Sequence, residues 1–140
     1  MRSYMFLVTL FICALTDIVT FRIKNLILII SAAGLLLCDL SGFSGGDTLT
    51  DLQAGLIIFL VLIPFYLSGL MSAGDIKLLM LSAMYAGLPS ICMITAASII
   101  SSSAIVICMS FYRKEPLTKI KFPFAFALLL GAFPFWFSIF

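Results

Sequence analysis

The chain has 140 residues, of which 64% are hydrophobic and 10% charged, with a formal net charge of +2. Soluble proteins average roughly 45–50% apolar and 25% charged residues, so this composition indicates a membrane protein and leaves no separate soluble lobe. The basic residues are scattered over short loops, so no nucleic-acid partner is expected. The chain has no histidine, which excludes Ser-His-Asp and Cys-His nucleophile systems and the H-E-x-x-H metalloprotease helix.

Six apolar runs recur along the chain at close to the length that a bilayer requires, about 20 residues for a helix. They cover approximately residues 3–21, 23–40, 52–70, 75–88, 90–112 and 122–140. Gly87 and Pro89 divide a stretch that is too long for one helix. A cleaved signal is the alternative for the first run, but apolar character resumes after Asp17. We predict an all-α membrane protein, a bundle of about six transmembrane helices in one integral-membrane domain over residues 1–140.

The cysteines lie inside apolar runs and show no C-x-x-C spacing; they are Cys13, Cys38, Cys92 and Cys108. This arrangement favours buried, reduced thiols over a zinc site or a disulfide framework. We therefore expect no metal and no cofactor.

The basic residues predict the orientation of the six runs, because cytoplasmic loops of membrane proteins are enriched in Lys and Arg. Three junctions hold seven of the eight basic residues: Arg22 and Lys24 lie between runs one and two, Lys77 at the junction of runs three and four, and Arg113, Lys114, Lys119 and Lys121 between runs five and six. The opposite side has only Arg2, together with Asp39, Asp47 and Asp51. We predict that both termini are outside and that these three junctions face the cytoplasm, with lipid as the surrounding partner.

Two aspartates lie at the cytoplasmic level of this topology: Asp17 near the end of run one and Asp75 at the start of run four. An ionisable group in a membrane segment is costly and marks a functional candidate. Each also has a structural interpretation. Asp75 could cap or open a helix N-terminus, and Asp17 could mark the end of an apolar run, paired with Arg22 or Lys24. The two aspartates are predicted at the same depth on the same side of the membrane, and this favours the functional interpretation.

Three segments, in order, resemble the prepilin peptidases, membrane aspartic proteases of the GxGD type that process type IV pilin precursors. "SAGDIKLL", from residue 72, is similar to the family's G-x-G-D-x-K-L signature, and "DIVTFRIKN", from Asp17 to Asn25, resembles its first aspartate motif. "IKFPFAFALLLG", residues 120–131, is similar to the I-P-F-A-P-x-L-x-x-G segment. The chain departs from the family at three positions, with Ser72 for glycine and with Lys24 and Phe126 for proline.

The resemblance implies a membrane aspartic endopeptidase of the bacterial inner membrane, with Asp17 and Asp75 as catalytic residues supported by Ser72, Gly74, Lys77 and Asn25. It further implies a short (TadV/CpaA-like) peptidase of tight-adherence systems, without the segment that methylates the pilin. The substrate would be a prepilin or pseudopilin with a short basic leader, cut after a glycine that precedes the apolar helix.

The residues themselves permit this chemistry. Without histidine or metal, two carboxylates can activate a water, one as the ionised base and one as the protonated acid, and the pair then titrates as a unit. Gly69 and Gly74 would give the segment before run four the freedom to admit an extended peptide. Lys77 is expected to anchor to lipid headgroups.

Two other functions remain open. A Ser-Lys protease would use Lys77 with Ser72 or Ser82, but a lysine at headgroup level has no dry pocket to activate it. A non-enzymatic membrane channel or assembly subunit would use the aspartates as pore or packing groups, and residues 98–104, "SIISSSA", would line its pore or pack helices closely.

Overall fold

A computed structural model describes residues 2–20, 23–42, 47–69, 71–113 and 123–135, and this part of the chain contains helices and no strand. The helices are α1 Arg2–Thr20, α2 Asn25–Leu40, α3 Thr48–Leu67, α4 Ala73–Ala86, α5 Leu88–Arg113 and α6 Phe124–Ala132, followed by a 3-10 turn at Phe133–Phe135. The all-α prediction is confirmed, and each helix matches one apolar run. Two stretches, Thr48–Leu67 and Leu88–Met109, are long and apolar enough to span a membrane.

Local chemistry accounts for helix ends that differ from the predicted ones. α3 ends before Ser68 because Gly69 adopts a left-handed φ of +73°, a conformation that side-chain-bearing residues rarely tolerate. α6 gives way to the 3-10 turn at Pro134, which has no N–H for a further helical bond. The last predicted run extends to residue 140, and its final five residues lie outside the described ranges.

The helix α4 lies at the centre of the fold. It contacts all five other helices, and its packing against α3 is the most extensive. Its buried residues lie on every side of the helix, which is typical of a core helix rather than a peripheral one; they are Ile76, Leu78, Leu79, Leu81, Ser82, Ala83, Met84 and Tyr85. Both ends of α4 are therefore fixed relative to its neighbours.

A buried group of hydroxyl side chains joins α1, α2 and α4. The Thr9 and Ser31 hydroxyls are 2.6 Å apart, and the Tyr85 hydroxyl donates to the Ser31 carbonyl oxygen at 2.9 Å. The Tyr85 ring also stacks on Phe6, with ring centroids 5.5 Å apart. Because a buried polar group is costly when its hydrogen bonds are not made, these contacts favour one relative arrangement of the three helices.

The pair α5 and α6 packs closely at Gly131. A Cβ atom at this position would lie 2.6 Å from both the Ile94 carbonyl oxygen and the Ser98 backbone nitrogen. Only glycine permits this approach, and the contact holds α6 against α5. The position of the first turn of α6 depends on this packing.

All four cysteines are free thiols. Cys13 is buried, whereas Cys92 and Cys108 are exposed on α5, so the prediction of burial was wrong for these two. An apolar run identifies a hydrophobic helix but not which of its faces packs inward, and most of α5 faces outward.

Candidate active site

The first predicted site residue, Asp17, lies in the last turn of α1 with 5% of its surface exposed. Its Oδ2 atom accepts a hydrogen bond from the backbone N–H of Ala125, at 2.8 Å. Ala125 is the second residue of α6, where backbone N–H groups have no partner within the helix. The carboxylate therefore satisfies one of these donors, at the helix end where negative charge is favourable.

The second predicted site residue, Asp75, lies in the first turn of α4 and is half-buried. Ser72 is the N-cap of this helix, and its hydroxyl accepts from the Asp75 N–H at 3.3 Å. The Ser72 N–H in turn donates to Asp75 Oδ2 at 3.2 Å, which completes a capping box. Asp75 therefore takes part in capping α4, as its structural interpretation predicts. The bond from the Ser72 N–H fixes one oxygen of its carboxylate.

The fold brings the two carboxyl groups into one neighbourhood. Asp17 lies in the last turn of α1 and Asp75 in the first turn of α4. The start of α6 lies beside both, because Ala125 donates to Asp17 and Phe124 lines a cavity with Asp75. Each carboxyl group has one oxygen fixed by a backbone N–H, from Ala125 in one case and Ser72 in the other. A backbone N–H holds a carboxylate without adding a further ionisable group. The two donors therefore orient the carboxyl groups and take no part in proton transfer themselves.

The Ser72 side chain caps α4, and this leads to a test of its role. We expect Ser72→Gly and Ser72→Ala to retain cleavage activity, since both keep the backbone N–H that holds Asp75. Loss of the hydroxyl in Ser72→Ala should cost about 0.5–2 kcal/mol of stability, and Ser72→Gly less. Ser72→Leu should be inactive, because its bulk lies beside the carboxylate. Thermal unfolding and cleavage rates of the purified variants measure both effects.

The opposite result is also informative for Ser72. Full folding of Ser72→Ala with loss of cleavage, while Lys77→Arg stays active, would assign the hydroxyl a direct part in the chemistry and contradict its role as a cap.

The glycine of the predicted motif, Gly74, lies inside α4 and close to the segment that follows α1. A Cβ atom there would lie 3.3 Å from Ile23 Cβ, which is tighter than ordinary packing. The residue therefore permits close contact between the start of α4 and the loop after Asp17. Whether it also gives freedom to admit a peptide stays a prediction.

The two remaining support residues pair with each other rather than with the aspartates. Lys77 Nζ donates to Asn25 Oδ1 at 3.2 Å, which links α4 to the start of α2. Lys77 follows Asp75 by two positions, so the two side chains do not share a helix face. Lys77 and Asn25 line a separate cavity of about 270 Å³. Lys77 is exposed, and headgroup anchoring stays a prediction.

Sequence reasoning missed two features of the site. The first is the Ala125 N–H that holds Asp17, although the Pro123 that precedes α6 is a signal for a helix start. The second is a cavity of about 640 Å³ that reaches Asp75 from between α3 and α5. Neither can be seen in one segment of sequence, because each is created by helices that are distant in the chain.

Comparison with known protein families gives a match over most of the chain. The family model described as the type IV leader peptidase family matches residues 4–111. The matched part contains Asp17, Asp75 and the four support residues, whereas α6 with Ala125 lies beyond it. A search of curated proteins finds no match, and a search of solved structures finds none either.

Proposed function

Because the chain belongs to the type IV leader peptidase family, we propose that it is a membrane aspartic endopeptidase with Asp17 and Asp75 as its catalytic pair. Membership supports a protease that acts on a prepilin-type protein. The finer proposal is that this enzyme removes the short basic leader of type IV (Flp-like) prepilins or pseudopilins at the cytoplasmic face of the bacterial inner membrane. The chain would act there as a single multi-pass domain over residues 1–140.

The observation that carries this proposal is the meeting of the two aspartates. α2 and α3 separate them in sequence, yet Asp17 accepts a hydrogen bond from Ala125 of α6, and the preceding residue, Phe124, lines the same cavity as Asp75. The fold encloses Asp17, and a cavity leads to Asp75 from outside. Two neighbouring carboxyl groups, one of them reached by a cavity, are the arrangement that metal-free, water-activated hydrolysis needs.

The mechanism follows from one shared proton. The ionised carboxylate removes a proton from a water molecule held between the pair, and the water oxygen attacks the carbonyl carbon of the scissile peptide bond. The protonated carboxyl group donates its proton to the carbonyl oxygen. When the tetrahedral intermediate collapses, one of its hydroxyl groups returns a proton to the second carboxylate and the C–N bond breaks. The amide nitrogen of the leaving strand takes the proton that the first carboxylate removed from water, so the pair again holds one proton. The N–H groups of Ala125 and Ser72 would hold the carboxylates in position during these transfers.

The proposed orientation is tested by reporter fusions. With seven of the eight basic residues on one side, we expect a reporter after Lys114 to read cytoplasmic and one after Asp47 to read external. Alkaline phosphatase and green fluorescent protein fusions at these positions give opposite signals in the two compartments. The reversed pattern would move the aspartates to the external face and refute cytoplasmic cleavage.

The Ser-Lys alternative has little support in the described residues. The Ser82 hydroxyl is buried and donates to the Leu78 carbonyl oxygen at 2.7 Å, while Lys77 is exposed and pairs with Asn25. A serine nucleophile would need the lysine as its base, at hydrogen-bond distance.

A channel or assembly subunit is the other alternative, and the serines of α5 bear on it. Ser98 and Ser103 donate to carbonyl oxygens of their own helix, at 2.6 Å in each case. Hydroxyls used in this way are typical of helix packing.

The deciding experiment reconstitutes the purified protein in liposomes with a prepilin. Loss of the leader, seen by mass spectrometry, supports the peptidase. Ion conductance without leader loss supports the channel.

A further inference from the structure

We infer that the cavity beside Asp75 is the route by which the apolar segment of a prepilin-type substrate enters from the bilayer, an inference that rests on the proposed function. The cavity has a volume of about 640 Å³, within the range of roughly 300–1,000 Å³ typical of ligand sites. Its walls come from α3, α4 and α5, with Phe124 of α6 and Met71 completing the lining. Asp75 is the one charged residue in that lining.

The walls of the cavity are helix faces with apolar side chains. Ile91, Thr95 and Ile99 are spaced four residues apart on α5, so they form one stripe about 12 Å long. On α3, Ile58, Val61, Leu62 and Phe65 form the facing stripe. The Thr95 hydroxyl donates to the Ile91 carbonyl oxygen at 2.8 Å, so it offers little polarity to an occupant. The cavity thus suits aliphatic or aromatic side chains.

The cavity extends from the carboxylate into the thickness of the helix bundle. Asp75 and Ile99 lie equally far along the chain from Gly87, the residue between α4 and α5, and both line the cavity. Leu79 and Ile91, which lie nearer to Gly87 in sequence, line the cavity as well. An apolar segment that enters here has its first residue beside Asp75 and its next turns between α3 and α5. This arrangement is the one needed by a substrate cut at the boundary between a polar leader and an apolar helix.

The cavity is also open to the bilayer. α3 packs chiefly on α4 and, among the described residues, makes no comparable contact with α5. Val61 on α3 and Ile99 on α5 line the cavity and are 56% and 61% exposed. An apolar segment can therefore move sideways from lipid into the cavity, without passing through a polar surface. A lipid tail is the competing occupant, and it would make no use of the carboxylate.

Photocrosslinking tests this route with matched positions. A benzophenone amino acid is placed at Val61 or at its neighbour Leu60, which is 57% exposed but does not line the cavity. A second pair is Ile99 and Ile100 on α5, at 61% and 71% exposed. The Asp17→Asn background keeps the prepilin uncut and leaves the cavity lining intact. We expect crosslinks to prepilin at least about tenfold stronger from Val61 and Ile99 than from Leu60 and Ile100.

A kinetic measurement supplements the crosslinks. In the otherwise unchanged protein, Val61→Trp narrows the cavity and should lower the cleavage rate at limiting prepilin by about tenfold, whereas Leu60→Trp should stay within about twofold. Thermal unfolding checks that both variants fold.

The possible results separate the two proposals. If the unchanged protein does not cleave prepilin, both the proposed function and the proposed entry route are refuted. If it cleaves but the paired positions crosslink equally, or crosslink only lipid, or Val61→Trp cuts at the normal rate, then the route is wrong and the proposed function stands.

Discussion

We expect Asp17→Asn and Asp75→Asn each to abolish leader cleavage, while the protein still folds and inserts. An amide cannot serve as the base, and it cannot supply the shared proton, so either replacement removes one half of the acid–base pair. General acid–base groups contribute roughly a hundredfold to ten-thousandfold in rate, and the loss of either group should stop a cycle that needs both. The measurement is the rate of leader loss from purified prepilin, with thermal unfolding of each variant as the check on folding.

The control for these variants is an aspartate in an exposed position. Asp47 precedes α3, is exposed, and accepts a hydrogen bond from Thr50 at 3.0 Å. Asp47→Asn keeps an acceptor there and should cut normally. The buried Asp51 is a poorer control, because its replacement disturbs packing as well as charge. Native-rate cleavage by well-folded Asp17→Asn or Asp75→Asn would refute the aspartic mechanism.

The glutamate variants extend this prediction. Asp17→Glu and Asp75→Glu keep the carboxyl group but move it by about 1 Å or more, and misplacement on this scale can cost around a hundredfold. In Asp17→Glu the carboxylate must also leave the fixed donor at Ala125, and in Asp75→Glu it must leave the Ser72 N–H. Severe impairment is therefore expected at both positions.

The helices could be predicted because each of them coincides with an apolar run, which is visible in the sequence itself. All six runs became helices, and the boundaries shifted where a single residue decides the backbone, as at Gly69 and Ser72. Sequence placed Asp75 at a helix start but did not identify Ser72 as the N-cap, since both residues are good capping types. The departure of Ser72 from the family's glycine is explained by that cap.

The site was predictable only in part, because half of it is made by long-range packing. The spacing of motifs predicts Asp17 and Asp75 as the catalytic candidates, because their side chains carry recognisable chemistry. The Ala125 N–H is a backbone group with no side-chain signature, and its position depends on how α6 packs against α1 and α5. The cavity beside Asp75 depends likewise on the gap between α3 and α5. The sequence predicts which helices have apolar faces, but it does not predict which two helices leave a gap between those faces.

Ala125→Pro should lower the cleavage rate about ten- to hundredfold, because it removes the N–H that holds Asp17. Proline breaks no helical hydrogen bond there, since Ala125 is the second residue of α6 and the first N–H to bond back within the helix is that of Ala127. Hydrogen bonds to charged groups contribute roughly 1.5–3 kcal/mol, and without this one the carboxylate is free to turn away from Asp75. The measurement is the single-turnover rate of leader loss.

The matched control for this last prediction is Ala125→Val. Valine adds as many side-chain carbons as proline and keeps the N–H, and this matters because Ala125 is fully buried. If packing at this position were the cause, both variants would lose activity and stability together. If the hydrogen bond is the cause, Ala125→Val keeps most of the cleavage rate, while Ala125→Pro loses it and still unfolds at a similar temperature. Equal loss in the two variants would show that α6 contributes to the site by its volume alone and that its N-terminus does not position Asp17.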